Sequence, residues 1–129
     1  MELNYFSLKD LLNTASEEGC TLSSLVLAQQ AEQLELPEEE VYERMRKSYQ
    51  VMAECIEPGC SPDLRSTSGL TGGDAYKMRK ATKEGKNLTG SLMGSALYRA
   101  LAVSELNASM GRIVAAPTAE SCGIVPAAV

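Results

Sequence analysis

The segment Gly90–Met110 constrains the fold most, because small and aliphatic residues dominate it and polar ones are few. A helix of this composition is usually central and packs closely against neighbours on several sides. The segment therefore predicts a long central helix, capped by Thr89 or Asn87 and ended by Gly111. Its small residues are Gly94, Ser95, Ala96, Ala100 and Ala102, and its larger apolar ones are Leu92, Met93, Leu97, Leu101, Val103 and Leu106.

The composition of the rest of the chain also favours helices. Aromatic residues make up 5% of the 129 residues, with no Trp and a single Phe. The core must then be built from Leu, Val, Ile, Met and Ala, which suit helix packing better than a β-sandwich. We predict an all-α fold: one helical domain of about five to six helices with a glycine-rich loop.

Capping and stop signals predict where the other helices lie. Ser7 caps a first helix that Gly19 ends, and Thr21 or Ser23 caps a second. A third begins at Pro37 and runs to about Glu57, where Pro58-Gly59 ends it. A further helical segment is predicted near Tyr76–Lys83, and Ile113–Pro117 is predicted to be extended.

Charge and composition argue against several functions. The net charge is −5, and the longest basic cluster is Lys77–Lys80, so a nucleic-acid partner is disfavoured. No apolar run is long enough to cross a bilayer, and Met1–Tyr5 is neither basic nor apolar, so membrane anchoring and secretion are unsupported. We therefore expect a cytoplasmic protein. The chain has no histidine, which excludes Cys/His zinc sites and Ser-His-Asp or Cys-His catalysis within it.

The loop Ser66–Asp74 is dense in hydroxyl groups and glycines. Glycines let main-chain N–H groups converge on an anion, and the start of the following helix adds partial positive charge. The loop could therefore hold a carboxylate or a phosphate. It matches neither a P-loop nor a dinucleotide fingerprint. A glycine-rich connector is the other interpretation, and composition alone favours it.

Cys122 lies in the closing segment, between Pro117 and Pro126. If a helix begins at Ser121 or Cys122, its dipole would lower the pKa of the thiol and favour metal ligation. A small buried residue near a helix start is the alternative, and spacing does not decide between them. The end of the chain, Ile124–Val129, is unusually apolar, so we expect it to belong to the interior of a larger protein. The other thiols, Cys20, Cys55 and Cys60, are interpreted as unliganded.

Two blocks together resemble the α chain of bacterial iron–sulfur-dependent L-serine dehydratase (L-serine ammonia-lyase). The first is Arg65-Ser-Thr-Ser-Gly-Leu-Thr-Gly-Gly-Asp-Ala75, and the second is Met110-Gly-Arg-Ile-Val-Ala-Ala-Pro-Thr-Ala-Glu-Ser-Cys-Gly-Ile-Val-Pro-Ala127. The second block is the more specific of the two. The resemblance covers the whole chain in order, and the N-terminal helices are its least distinctive part.

The resemblance implies a mainly helical catalytic domain that converts L-serine to pyruvate and ammonia. It also implies a 4Fe–4S cluster held by three cysteines, with one iron left open as a Lewis acid. Cys122 matches the first of these cysteines. The implied partners are a β chain or domain and the remainder of the α chain, in an oligomer. The positions that match the substrate loop are Ser66, Ser68, Gly69, Thr71, Gly72, Gly73, Asp74 and Lys77.

Two departures from the family pattern bear on function. Glu120 stands where the family commonly has Gly, next to the matching cysteine motif. Family α chains also run considerably further and supply the other two cluster cysteines there. We therefore expect residues 1–129 to be a truncated N-terminal part of the catalytic domain, inactive alone, with its general base unidentified. The alternatives are a non-catalytic module for subunit interaction and a small-anion binder that uses Ser66–Asp74.

Overall fold

The computed structural model describes residues 6–129 and is all-helical over that range, which confirms the predicted fold class. The segment Met1–Tyr5 lies outside the described residues. No helix in the described part has the length and apolar character needed to cross a membrane. Between residues 6 and 129 there are five helices of ten or more residues and two short ones: α1 Leu8–Glu17, α2 Leu22–Leu34, α3 Glu38–Glu54, α4 Ile56–Gly59, α5 Asp74–Lys83, α6 Gly90–Ala108 and α7 Ile124–Ala128.

The chain divides into two compact units, with the boundary between Arg46 and Lys47 inside α3. In the first unit, α1 and α2 contact each other. Ser7 Oγ accepts a hydrogen bond from the Asp10 N–H at 3.1 Å, as the predicted cap requires. Thr21 rather than Ser23 caps α2, because its Oγ1 accepts from the Ser24 N–H at 3.2 Å.

The predicted end of the third helix was wrong by one turn, since α3 ends at Glu54 and not at Glu57. Pro58 has no N–H to donate to the carbonyl of Glu54, so the ladder of helical hydrogen bonds breaks there. It resumes when Gly59 N–H donates to Cys55 O at 3.2 Å. Pro58 consequently lies inside the short helix α4, which turns the chain toward the candidate loop.

The second unit is built around α6, which packs against α4, α5 and α7 as the small-residue pattern predicts. Two glycines let the neighbouring helices approach its backbone. A Cβ on Gly59 would lie 2.1 Å from the carbonyl oxygen of Ala102, and one on Gly123 would lie 2.6 Å from that of Ala100. The N-terminal part of α6 is less enclosed than predicted, because Leu92 and Met93 are 88% and 55% exposed.

The end of α6 differs from the prediction in one detail. The helix ends at Ala108, and Met110 rather than Gly111 adopts the left-handed conformation, with φ +64°. Met110 N–H donates to Asn107 O at 3.0 Å and Gly111 N–H donates to Leu106 O at 2.8 Å, which is the Schellman pattern. Gly111 is needed for space, since a Cβ there would lie 2.4 Å from a methyl carbon of Leu106.

Candidate functional site

The loop Ser66–Asp74 folds into a compact turn that its own hydroxyl groups stabilise. Ser66 N–H donates to Thr71 O at 2.9 Å, and the Thr71 N–H donates back to Ser66 Oγ at 3.2 Å. Gly69, with φ +74°, closes the tip by donating to Ser66 O at 2.8 Å. The hydroxyl groups of Ser66 and Ser68 lie 3.1 Å apart. Ser68 and Thr71 are exposed, and we refer to the three hydroxyl-bearing residues Ser66, Ser68 and Thr71 as the hydroxyl cluster.

Only glycine fits at position 72 of this loop. Gly72 has φ +138°, and a Cβ there would lie 2.1 Å from the carbonyl oxygen of Leu64. That carbonyl also accepts a hydrogen bond from the Arg65 guanidinium at 2.6 Å. The loop therefore folds back against the backbone of Leu64, which lies just before the loop in the sequence. A side chain at position 72 would push these two segments apart.

One end of the loop is attached to the last turn of α6. Both the N–H and the hydroxyl group of Thr67 donate to the carbonyl oxygen of Ala108, each at 3.0 Å. This carbonyl is one of those that a helix C-terminus leaves without an intrahelical partner. Thr67 therefore serves as a tether.

The other end of the loop is held by Glu105, which sequence analysis did not identify. Its carboxylate accepts hydrogen bonds from three successive main-chain N–H groups at the start of α5: Gly73 at 2.9 Å, Asp74 at 2.8 Å and Ala75 at 3.1 Å. One of the two interpretations of the loop was that converging N–H groups at this helix start hold an anion. In this structure the anion is a carboxylate of the chain itself, stabilised by the helix dipole.

A signal for Glu105 was present in the sequence. It is the one acidic residue of α6, in a helix composed almost wholly of small and apolar residues. A lone carboxylate on such a helix needs a partner when it is partly buried, and Glu105 is half-buried. The sequence around Glu105 does not reveal that partner, because the donor Gly73 lies 32 residues away along the chain.

Lys77 and Asp74, both matched to the substrate loop by resemblance, form an ion pair. Lys77 Nζ lies 2.9 Å from Asp74 Oδ1, and the two side chains are 74% and 63% exposed. An exposed pair of this kind is weak and can reorganise when a ligand competes for the ammonium group. Lys77 is therefore a cation that stands close to the loop and is accessible to an incoming anion.

Cys122 is fully buried rather than placed at a helix start. The short helix α7 begins only at Ile124, and the thiol packs in a core cluster with Cys55, Val103 and Leu106. Burial raises the pKa of the Cys122 thiol; a hydrogen bond from its own backbone opposes this rise, and the charge of Glu120 adds to it. The condition for a lowered pKa is thus not met, and Cys122 packs as a core residue in this structure.

The turn before Cys122 is fixed by reciprocal hydrogen bonds. Thr118 N–H donates to Ser121 Oγ at 3.2 Å, and Ser121 N–H donates to Thr118 Oγ1 at 3.3 Å. The preceding peptide bond, Ala116–Pro117, is cis. Asn107 of α6 donates through Nδ2 to the carbonyl oxygen of Ala119 at 3.1 Å. The cysteine segment is therefore anchored to the same turn of α6 as the loop.

Glu120, the residue that departs from the family pattern, does not enter the core. Its side chain is exposed. Hydrogen bonds from its own backbone N–H and from the Thr118 hydroxyl lower the pKa of its carboxyl group. Glu120 thus remains charged, and its effect on Cys122 is electrostatic rather than steric.

The described residues do not form a cluster site by themselves. No three His, Cys, Asp or Glu side chains between residues 6 and 129 are grouped so that they could hold a metal ion. Cys55 shares a core cluster with Cys122, whereas Cys60 lies in a second cluster with Ala75 and Ala102. A 4Fe–4S cluster on three cysteines therefore does not fit the described chain alone.

We expect the four thiols to differ sharply in reactivity. Cys20 is half-exposed, whereas Cys55, Cys60 and Cys122 are 3%, 4% and 0% exposed. Burial also raises the pKa of each of these three thiols. Alkylation by iodoacetamide at neutral pH, followed by peptide mass mapping, should label Cys20 at least about 100-fold faster, because the others react only after local opening. Equal rates for Cys20 and Cys122 would contradict the burial described here, and labelling in urea should abolish the difference.

Comparison with known proteins shows which family the chain is similar to. A family model described as "Serine dehydratase alpha chain" matches residues 17–129. The protein named "Probable L-serine dehydratase, alpha chain" of Bacillus subtilis (strain 168) is 37% identical over 120 residues, which cover 93% of this chain and 40% of that protein. The "L-serine dehydratase, alpha chain" of Peptoniphilus asaccharolyticus is 30% identical over 119 residues, covering 92% and 41%.

Longer relatives match over the same part of this chain. The "L-serine dehydratase 1" of Escherichia coli (strain K12) is 34% identical over 130 residues, covering 94% of this chain and 27% of that protein. No solved structure gives a significant match. The chain thus spans about two fifths of the length of the two α chains it matches.

Proposed function

Because the chain belongs to the serine dehydratase α-chain family, we propose that it is the N-terminal portion of the α-chain catalytic domain of an L-serine dehydratase. One observation carries the proposal. The last turn of α6, residues 105–108, holds both blocks on which the family resemblance depends, through Thr67 and Gly73–Ala75 on one side and Ala119 on the other. Such convergence is expected when two sequence blocks serve one active site.

We infer that the loop receives the carboxylate of L-serine through side chains. The N–H groups of Gly73 and Asp74 already donate to Glu105, whereas the hydroxyl groups of Ser68 and Thr71 and the ammonium group of Lys77 are exposed. Hydroxyl and ammonium donors suit a carboxylate. In this proposal Ser66 orders the hydroxyl cluster, Gly69 and Gly72 shape the backbone beneath it, and Asp74 holds Lys77 until substrate arrives.

In the proposed reaction, L-serine loses its α-proton and its β-hydroxide. The aminoacrylate that remains becomes an imine, and its hydrolysis yields pyruvate and ammonia. A 4Fe–4S cluster, when bound, would supply the Lewis acid for the departing hydroxide. We propose that Cys122 provides one of its three cysteine ligands and that two cysteines outside this chain provide the others.

The same proposal names the partners of the chain. They are the remainder of the α chain, a β chain or domain, and further copies in an oligomer, all in the cytoplasm and without nucleic acid or membrane. We use "complemented enzyme" for this chain combined with a polypeptide that carries the remaining α-chain sequence and with a β chain. The length comparison supports this arrangement, because the related α chains are about two and a half times as long as their match to this chain.

We expect the isolated chain to have no dehydratase activity and no stable 4Fe–4S cluster, because one ligand of three cannot retain it. The measurement is anaerobic reconstitution with iron and sulfide, followed by desalting, a visible absorbance spectrum and a serine-to-pyruvate assay. The visible absorbance and the rate of pyruvate formation should both equal those of the Cys122→Ser variant treated in parallel. Serine turnover by the isolated wild-type chain that the variant lacks would contradict the proposed division of ligands.

A second candidate function is a non-catalytic module for subunit interaction. The full burial of Cys122 favours it, since a thiol packed in the core need not ligate anything. The apolar end of the chain, in which Ile124 and Val129 are each 66% exposed, is the segment through which such a module would dock. Binding to the missing α-chain portion without cluster absorbance or turnover would favour the module over the enzyme.

A further inference from the structure

Glu105 makes contacts that the proposed chemistry does not use. Its two carboxylate oxygens divide three main-chain donors between them: Oε2 accepts from Gly73, and Oε1 accepts from Asp74 and Ala75. These N–H groups belong to the N-cap residue Gly73 and to the first two residues of α5, where the helix dipole favours negative charge. Hydrogen bonds to an ionised acceptor are roughly twice as strong as neutral ones. The carboxylate is therefore a strong clamp on the exit of the loop.

The clamp and the tether lie on one face of α6. Glu105 and Ala108 are three residues apart, so their positions are neighbours on the helix surface. Glu105 holds the loop at Gly73, and the carbonyl oxygen of Ala108 holds it at Thr67. Ser68 and Thr71 of the hydroxyl cluster lie between these two points. The rigid helix thus sets the distance between the two ends of the candidate substrate loop.

We propose that Glu105 is the positioning residue of this loop, an internal anion that fixes the hydroxyl cluster for the carboxylate of L-serine without touching the substrate. This inference rests on the proposed function. It also gives the loop a preference for one binding mode. With Glu105 in place, a second anion cannot use the N–H groups that start α5, so the substrate carboxylate is left to Ser68, Thr71 and Lys77.

The variant Glu105→Gln separates positioning from folding. Its amide oxygen can still accept from Asp74 and Ala75, while its NH2 group would face the Gly73 N–H, and two donors cannot bond to each other. The variant therefore keeps the two hydrogen bonds from Asp74 and Ala75 at the start of α5, and it loses the one that holds Gly73 at the end of the loop. Ser104→Ala is the matched control, because Ser104 is the exposed neighbour of Glu105 on α6.

The first measurement uses the 129-residue chain and does not depend on catalysis. Amide hydrogen exchange by NMR should show that Glu105→Gln accelerates exchange at Gly73 by about 10- to 100-fold, the factor expected for loss of a hydrogen bond to a charged group. Exchange at Val103 and Leu106, in the core of α6, should change less than about 2-fold. Unchanged exchange at Gly73 would overturn the proposal. Equal acceleration at Gly73, Ala75, Val103 and Leu106 would overturn it as well.

The second measurement is steady-state kinetics of the complemented enzyme. Glu105→Gln should raise KM for L-serine by about 10-fold and change kcat by less than about 3-fold, as expected when binding geometry rather than chemistry is impaired. Ser104→Ala should leave both constants unchanged. An active enzyme in which Glu105→Gln has the wild-type KM would overturn the positioning role. Absence of turnover in the wild-type enzyme would instead reject the proposed function, and the positioning of L-serine with it.

Discussion

Replacing Cys122 with Ser should eliminate both the 4Fe–4S absorbance and pyruvate formation in the complemented enzyme. Serine is a poor ligand for iron that prefers thiolate, and loss of one ligand of three leaves the cluster labile. A bound metal Lewis acid contributes several kcal/mol to transition-state stabilisation, and about 1.4 kcal/mol corresponds to a factor of ten. We therefore expect turnover to fall by roughly 1,000-fold or more.

The control for this variant is Cys60→Ser. Cys60 is nearly as buried as Cys122, at 4% against 0% exposed, but it packs in the other core cluster. If the hydroxyl group placed in the core causes the loss of turnover, both variants should lose it. If the missing cluster ligand causes the loss, only the Cys122→Ser variant should lose turnover. A Cys122→Ser enzyme that keeps its 4Fe–4S absorbance and its turnover would contradict the assignment of Cys122 as a ligand.

Gly59→Ala should destabilise the second unit by about 3 kcal/mol, near the upper end of the usual cost of overpacking. The added Cβ would lie 2.1, 2.5 and 2.9 Å from three backbone atoms of Ala102. Backbone atoms of a central helix cannot rotate away as a side chain can, so α4 would have to separate from α6. This corresponds to a fall in Tm of roughly 12–24 °C for a unit of this size.

Urea and thermal unfolding followed by circular dichroism measure this loss. Gly85→Ala is the matched control: a Cβ at Gly85 would meet no atom within 4 Å, and only its φ of +66° is unfavourable for alanine. We expect that control to lose about 1 kcal/mol. Equal losses for the two variants would show that α4 does not depend on close contact with α6.

Local signals in the sequence predicted much of the fold. The caps at Ser7 and Thr21 were correct because a cap is a contact within three residues, which the sequence shows directly. The small-residue pattern predicted that α6 is central, because packing density follows side-chain size. The end of α3 was predicted one turn too late, since Pro58 could be read as a stop or as part of a new turn. Pro58 has no N–H group to donate to the carbonyl oxygen of Glu54, and α3 therefore ends at Glu54.

The candidate site was less predictable, because its contacts join residues far apart in the sequence. The glycines and hydroxyl groups of the loop suggested an anion, but nothing near Gly73 indicated that Glu105 supplies it from 32 residues away. The sequence likewise did not decide whether Cys122 is buried, since its burial depends on contacts with Val103 and Leu106 of α6. Periodicity reports which face of a helix is apolar, and it does not report what that face meets.

We propose that this chain contributes one cluster ligand and the substrate loop to an L-serine dehydratase. The most direct measurement is an anaerobic assay of pyruvate formation from L-serine by the complemented enzyme, with this chain and its partners also assayed separately. We expect turnover and 4Fe–4S absorbance only when all parts are present. Stable assembly of the same parts with neither signal would contradict it.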